Sequence, residues 1–266
     1  MFTTHMQTVQ FYKYQGTGND FIMIDDREEK FDLEAHDLIK GLCDRKFGIG
    51  ADGLILIREH QYADFEMVYY NADGYQTSLC GNGSRCAVHF AGFLGMVSND
   101  CSFQTIEGIL QAKLEGDQVE INMPDVSSVD QTNEDYFLHT GSPHYVRFVN
   151  QVEDYDVYEN GRKIRYSDLY KKEGINVNFV ESLGNGKIFV RTYERGVEDE
   201  TYSCGTGVTA AAIAYGRLNG LNNIQIKTLG GDLNVNFQPK DGTGFCNVHL
   251  KGPAKMVFKG EIEISN

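Results

Sequence analysis

The sequence predicts an α+β fold in two similar domains, each built on a largely antiparallel sheet. Three observations carry that prediction. Short alternating or β-branched runs recur along the whole chain, the period-two pattern of strands. Only three segments show a helical period. One block occurs twice: a strand, a cysteine-glycine turn, a helix, and a further strand ending in Thr. A chain of 266 residues can bury cores of this size without a disulfide or metal staple.

The elements follow in order. Phe21 to Asp25 reads as the first strand. Leu33 to Asp44 reads as a helix, with Asp32 as its N-cap and apolar residues 35, 38, 39, 42 and 43 on one face. Leu54 to Arg58 and Phe65 to Tyr70 are strands, and a second helix runs from after Cys80 to a stop near Gly95. Ser102 to Ile106, Ile109 to Leu114 and Val119 to Met123 are strands separated by glycine turns such as Glu115-Gly116-Asp117. The polar stretch from Ser127 to Asp135 reads as a linker. It sets a first domain over 1–125, with 255–266 as a candidate completing segment, and a second over 126–254. Tyr145 to Val149, Val177 to Val180 and Lys187 to Tyr193 are strands of the second. A third helix runs from after Cys204 to a stop near Gly220, and Ile224 to Thr228, Leu233 to Phe237 and Lys255 to Ile264 close the series. The charged stretches Asp25 to Lys30 and Glu198 to Glu200 read as solvated loops.

Charge and composition exclude several functions. Lys and Arg number 24 against 38 Asp and Glu, a net charge of −14, so nucleic acid and anionic membrane surfaces are not expected partners. No apolar run approaches the ~20 residues of a membrane span, and no basic start with an apolar core marks a secretory leader. Six cysteines without a C-x-x-C pair read as reduced thiols of a cytoplasmic protein. Gly48-x-Gly50-x-x-Gly53 has the letters of a dinucleotide fingerprint, but a strand follows where a helix is needed. Asn71-Ala72-Asp73-Gly74 hints at a calcium loop, but Cys80 stands where the last carboxylate would be. Neither a metal nor a nucleotide cofactor is expected, since Cys and His are not clustered at ligand spacing.

The repeat centres on two cysteines. Cys80-Gly81-Asn82-Gly83 and Cys204-Gly205-Thr206-Gly207 each open a helix. A strand leads to Asn71 nine residues before the first, and another to Glu194 ten before the second. Thr105 lies 25 residues past Cys80, and Thr228 lies 24 past Cys204. A lone cysteine in such a turn reads as a small packing residue, and Cys43, Cys86, Cys101 and Cys246 are read that way. A matched pair at two helix N-termini reads as chemistry, because free N–H groups there bind carboxylates and lower a thiol pKa. Like domains packed about an approximate two-fold axis, with the cleft between them, would set the two thiols face to face. One thiolate could then take a proton from a carbon while the other thiol returns one to its opposite face. The helix N-termini would stabilise the charge that develops on a substrate carboxylate.

At these residues the sequence resembles the diaminopimelate epimerase family. Gly16-Thr17-Gly18-Asn19-Asp20-Phe21, Phe47-Gly48-Ile49-Gly50-Ala51-Asp52-Gly53 and Asn71-Ala72-Asp73-Gly74 before Cys80 follow the family's order. So do Gly141-Ser142-Pro143-His144, Asn176, Glu194-Arg195-Gly196 before Cys204, and Gly252-Pro253-Ala254. The resemblance implies two pseudo-symmetric domains, each a curved sheet around a central helix, with the active site in the interdomain cleft. It implies cofactor-independent epimerisation of LL- to meso-diaminopimelate in lysine biosynthesis, by a homodimer. Cys80 and Cys204 become the base and acid, with His144 and Glu194 supporting catalysis. Asn19, Asn71, Gly81, Asn82, Asn176, Glu194, Arg195, Gly205 and Thr206 become substrate ligands. Arg195 suits bidentate capture of a distal carboxylate, and the Asn amides both donate and accept. Two positions depart from the pattern: Ser142 stands where many members have Asn, and Gly53 where some carry a substrate-contacting Gln. Two other readings stay open. One is a proline-racemase-like racemase, whose first thiol segment usually has His where Asn82 stands. The other is a thiol switch in which Cys80 and Cys204 cross-link on oxidation.

Overall fold

The computed structural model describes residues 6–77 and 80–265. It forms two compact units, one through Val119 that also takes in the chain from Ala254 onward, and one spanning Glu120–Pro253.

In the first unit, β1 (Met6–Gly16) lies antiparallel to both β2 (Asn19–Asp25) and β17 (Lys255–Ser265). The sheet continues through β3 (Gly53–Arg58), parallel to β2, and β4 (Phe65–Asn71), antiparallel to β3. Then come β5 (Asp100–Thr105), parallel to β4, and β6 (Gly108–Glu115), antiparallel to β5. Both faces are covered. The central helix α2 (Gly81–Phe93), with ten of its thirteen residues buried, packs on β1 to β4, β6 and β17. On the other face α1 (His36–Cys43) sets Ile39, Leu42 and Cys43 against Ile22, Leu54 and Leu56. This explains why all six residues of β3 are buried and why its run is apolar without alternation.

The second unit repeats this succession. β9 (Asp135–His139) is antiparallel to β10 (Pro143–Phe148), and β11 (Asn176–Gly184) is parallel to β10. β12 (Lys187–Glu194) is antiparallel to β11, β14 (Asn223–Thr228) parallel to β12, and β15 (Gly231–Pro239) antiparallel to β14. The central helix α4 (Gly205–Asn219) joins β12 to β14, as α2 joins β4 to β5. An outer helix, α3 (Val157–Arg165), joins β10 to β11, as α1 joins β2 to β3. Added edges are β8 (Val129–Thr132) on β9, β13 (Asp199–Thr201) on β12, β16 (Phe245–Pro253) on β15, and β7 (Gln118–Met123) on β16. The duplication therefore covers the whole unit and not only the cysteine block.

The central helices start where the repeat places them. Cys80 and Cys204 are the N-cap residues, with nearly identical extended backbone angles, φ/ψ −110/115 and −113/113. α4 ends at Gly220, whose left-handed φ of 66° closes it. It is Ala-rich and apolar nearly all round, as a fully enclosed helix must be. Gly207 lets its first turn approach β11, since a Cβ there would run into the Asn178 amide. Gly207→Ala is expected to destabilise the fold by about 1–3 kcal/mol, read as a lower urea midpoint at unchanged slope.

Several local expectations are corrected. α1 begins at His36, not Leu33: the Asp32 carboxylate accepts the Glu34 N–H and forms a local turn instead of a cap. The stretch from Ser127 to Asp135 is not a plain linker, because β8 pairs there with β9 while keeping three of its four residues exposed, as a polar edge strand does. Asp26 is not solvated. It is buried, accepts Arg58 Nε at 2.7 Å, and accepts the Lys30 and Phe31 N–H groups. Glu200 likewise holds Arg191 through two bonds of 2.6 Å. β1, β16 and α3 were not legible as elements. β1 carries Lys13 and three glutamines, and α3 carries Asn160-Gly161 in its middle and buries only Val157 and Gly161.

Candidate active site

In the first unit the site grows from the turn between β1 and β2. Thr17 and Gly18 both take positive φ, 49° and 87°, and this hairpin turn delivers Asn19 at the start of β2. Asn19 Nδ2 donates to Asp52 Oδ2 at 2.6 Å, which turns its Oδ1 toward Cys80 Sγ at 3.5 Å and Asn82 Nδ2 at 3.4 Å. Cys80 Sγ also accepts the Gly83 N–H at 3.5 Å, capping α2. Behind it lies Arg85, fully buried. Its guanidinium donates to Asn82 Oδ1 at 2.9 Å, Thr17 Oγ1 at 3.1 Å and the Gly81 carbonyl at 3.3 Å. Burial pulls its pKa down to about 10, so it remains a cation at neutral pH. The bond to Arg85 orients the Asn82 amide, leaving Nδ2 to face Asn19. Asp52 is held in turn by Arg45 at 2.6 Å, which also pairs with Asp20 at 2.6 Å. Asn71 ends β4 in an exposed position, accepting a bond from the Tyr69 hydroxyl at 3.0 Å.

In the second unit Cys204 is buried, and its Sγ meets Thr206 Oγ1 at 3.4 Å. His144 Nε2 is 2.9 Å from both Thr206 Oγ1 and Ser142 Oγ. Asn176 Nδ2 donates to Ser142 Oγ at 3.1 Å, and Asn176 Oδ1 accepts the Arg195 N–H at 2.8 Å. Ser142 therefore joins His144, Asn176 and Thr206 where a longer Asn was the family expectation. His144 has no exposure, and burial pushes its pKa down to about 3, with His139 and Arg195 adding repulsion. The imidazole is neutral in the working range. Arg195 is exposed, its guanidinium resting on the Glu173 carbonyl at 3.0 Å. Glu194 ends β12 as Asn71 ends β4, and its Oε2 accepts the Thr201 hydroxyl at 3.0 Å.

The structure thus gathers Asn19, Cys80, Gly81 and Asn82 at the N-terminus of α2. It gathers Cys204, Gly205, Thr206, His144 and Asn176, with Arg195 through its backbone, at the N-terminus of α4. Asn71 and Glu194 stand at equivalent strand ends. Sequence reading missed the residues behind these: Thr17, Asp52 and Arg85 in the first unit, Asn178 and Thr192 in the second. A signal existed for Asn178, a polar residue two places after Asn176 in an apolar strand and hence on the same face. Each cysteine is the N-cap residue of a helix whose N-terminal N–H groups and dipole favour an anion, with the Asn19 amide beside Cys80 and the Thr206 hydroxyl beside Cys204. Such an arrangement can hold a carboxylate and exchange protons at a neighbouring carbon. Among the described residues, no helix is long and apolar enough to cross a membrane, and no group of three or more His, Cys, Asp or Glu could hold a metal ion.

Known proteins resemble this chain over nearly its whole length. The sequence profile of the diaminopimelate epimerase family matches residues 11–129 and 136–257. A diaminopimelate epimerase from Flavobacterium psychrophilum is 50% identical over 258 residues, covering 96% of this chain and all of that one. One from Aquifex aeolicus is 38% identical, covering 96% of this chain and 98% of its own. Among solved structures, a phenazine biosynthesis protein from Bacillus anthracis superposes with a TM-score of 0.75 at 13% identity, covering 97% of this chain and 100% of that one. A hydroxyproline epimerase from Agrobacterium vitis gives 0.67 at 14%, covering 97% and 93%. These two show a shared fold.

Proposed function

The chain belongs to the diaminopimelate epimerase family, and on that premise we propose that it converts LL-2,6-diaminopimelate to meso-2,6-diaminopimelate with Cys80 and Cys204 as its two acid–base groups. Family membership also disfavours the proline-racemase-like alternative. The observation that carries the reading is the matched pair of thiols, each the N-cap of a central helix with the same backbone conformation. One sulfur, as thiolate, takes the α-proton and becomes a thiol. The other, as thiol, gives its proton to the opposite face of the carbanion and becomes a thiolate. No external acid, base or electron is consumed, and the reverse reaction exchanges the roles. The α-proton is weakly acidic because the neighbouring carboxylate already carries charge. Helix N-terminal N–H groups and the Asn82 amide supply the compensating field.

Arg195 and the amides of Asn19, Asn71 and Asn176 are proposed to bind the two ends of the substrate, and His144 and Glu194 to support the thiols. A homodimer is the proposed assembly, for which exposed Phe93, Val257 and Phe258 of the first unit offer apolar surface. The test is the reaction of LL-diaminopimelate in deuterated buffer. The meso product should carry deuterium at the inverted carbon, and proline should not turn over. Inversion with the substrate hydrogen retained would overturn the two-thiol reading.

A further inference from the structure

We propose that Asn178 and Thr192 are positioning residues that hold the proton of His144 on Nε2, and so aim the Thr206 hydroxyl at Cys204 Sγ. The proposal deepens the functional reading above and rests on it for its kinetic consequences.

The Tyr145 backbone carbonyl faces Asn178 and can only accept. Asn178 Nδ2 donates to the Tyr145 carbonyl oxygen at 2.9 Å, which fixes the amide the right way round. Asn178 Oδ1 accepts the Thr192 hydroxyl at 2.9 Å, in agreement. The second hydrogen on Nδ2 points at His144 Nδ1, 3.1 Å away. That ring nitrogen must therefore present its lone pair, since a proton on it would face another N–H. In a neutral imidazole the proton is then on Nε2.

The direction is passed on. His144 Nε2 donates toward Thr206 Oγ1 and Ser142 Oγ, both at 2.9 Å. Ser142 Oγ also accepts from Asn176. Thr206 is anchored by its own carbonyl, which accepts the Thr140 hydroxyl at 2.8 Å. Ser142 Oγ, which already accepts from the ring and from Asn176, gives its own hydrogen to Thr206 Oγ1 at 3.2 Å; with the Thr206 oxygen accepting, its hydrogen turns to Cys204 Sγ at 3.4 Å. The chain of donors runs from Thr192 through Asn178, His144 and Thr206 to the sulfur. Asn178, His144 and Thr192 are all buried, so water does not compete for these bonds. A hydrogen bond donated to sulfur stabilises the thiolate that Cys204 becomes when it has given up its proton.

The test begins with the wild-type enzyme. Two-bond 1H–15N correlation of the His144 ring should show a protonated Nε2 and an unprotonated Nδ1, unchanged from pH 6 to pH 9. A proton on Nδ1, or an imidazolium at pH 6, would overturn the proposal. In Asn178→Asp the group facing Nδ1 becomes an acceptor, so the ring proton should move to Nδ1. The variant should lose about 10- to 100-fold in kcat with KM within about threefold. Wild-type kcat in that variant, or lost activity with the ring proton still on Nε2, would show a merely structural role and defeat the idea. Thr192→Val removes the donor to Asn178 Oδ1 but leaves the Tyr145 carbonyl to orient the amide, so the ring proton should stay on Nε2 while kcat falls by only about two- to fivefold; a ring proton on Nδ1 in this variant would overturn the assignment. A wild-type chain with the stated ring state but no turnover of diaminopimelate would count against the functional reading and uphold the hydrogen-bond assignment.

Discussion

Replacing either Cys80 or Cys204 by serine is expected to lower kcat by roughly 10²- to 10⁴-fold, the usual contribution of a positioned acid or base, with a smaller change in KM. A serine hydroxyl does not ionise near neutral pH, so the base is lost in one direction and a strong enough acid in the other. The loss should not come from unfolding. Both cysteines are N-caps, and serine is among the preferred N-cap residues, so helix starts are kept or improved. Each variant also retains one thiol. Proton exchange into substrate without inversion should therefore survive in both, on opposite stereoisomers, as read by deuterium uptake into LL- and meso-diaminopimelate. Full turnover in either single variant, or exchange on the same isomer in both, would sink the paired-thiol mechanism.

Arg85→Met is expected to be the most damaging change outside the thiols. The guanidinium is completely buried and serves Asn82 Oδ1, Thr17 Oγ1 and the Gly81 carbonyl together. Methionine fills much of the volume but donates nothing, so buried acceptors lose their partners at about 1–3 kcal/mol each. A total loss of at least about 3 kcal/mol should appear as a lower urea midpoint. Activity should fall further than stability explains, because Asn82 would no longer be held with Nδ2 toward Asn19. Arg85→Lys should recover part of the stability but less of the activity, since an ammonium cannot reproduce the fork that reaches three acceptors. An Arg85→Met enzyme with unchanged midpoint and kinetics would show that this buried cation organises neither the fold nor the site.

Much of the fold could be read from the chain because it is encoded locally. The C-G-x-G turns, the apolar helices behind them and the alternating strands are each visible within a dozen residues. Elements that failed this test were missed for physical reasons. β8 and α3 face solvent and bury little, so no apolar period marks them. β1 hides Lys13 among its buried residues, and that lysine is tolerable because Asp20, brought by β2, pairs with it at 2.6 Å and the Gly50 carbonyl accepts from it. Asp26 reads as a loop charge until Arg58, 32 residues away, is seen beside it.

The site divides the same way. Sequence alone determined that two cysteines occupy equivalent positions at the starts of duplicated helices, because a repeat and a helix-start signal are written in consecutive residues. Only the tertiary structure decided what stands behind each sulfur. A fully buried arginine backs Cys80 and a neutral histidine, directed by Asn178, backs Cys204. Those partners come from strands and turns up to 68 residues distant, as Thr17 does for Arg85. The energy of a buried polar group depends on who completes its hydrogen bonds, and no local pattern states that.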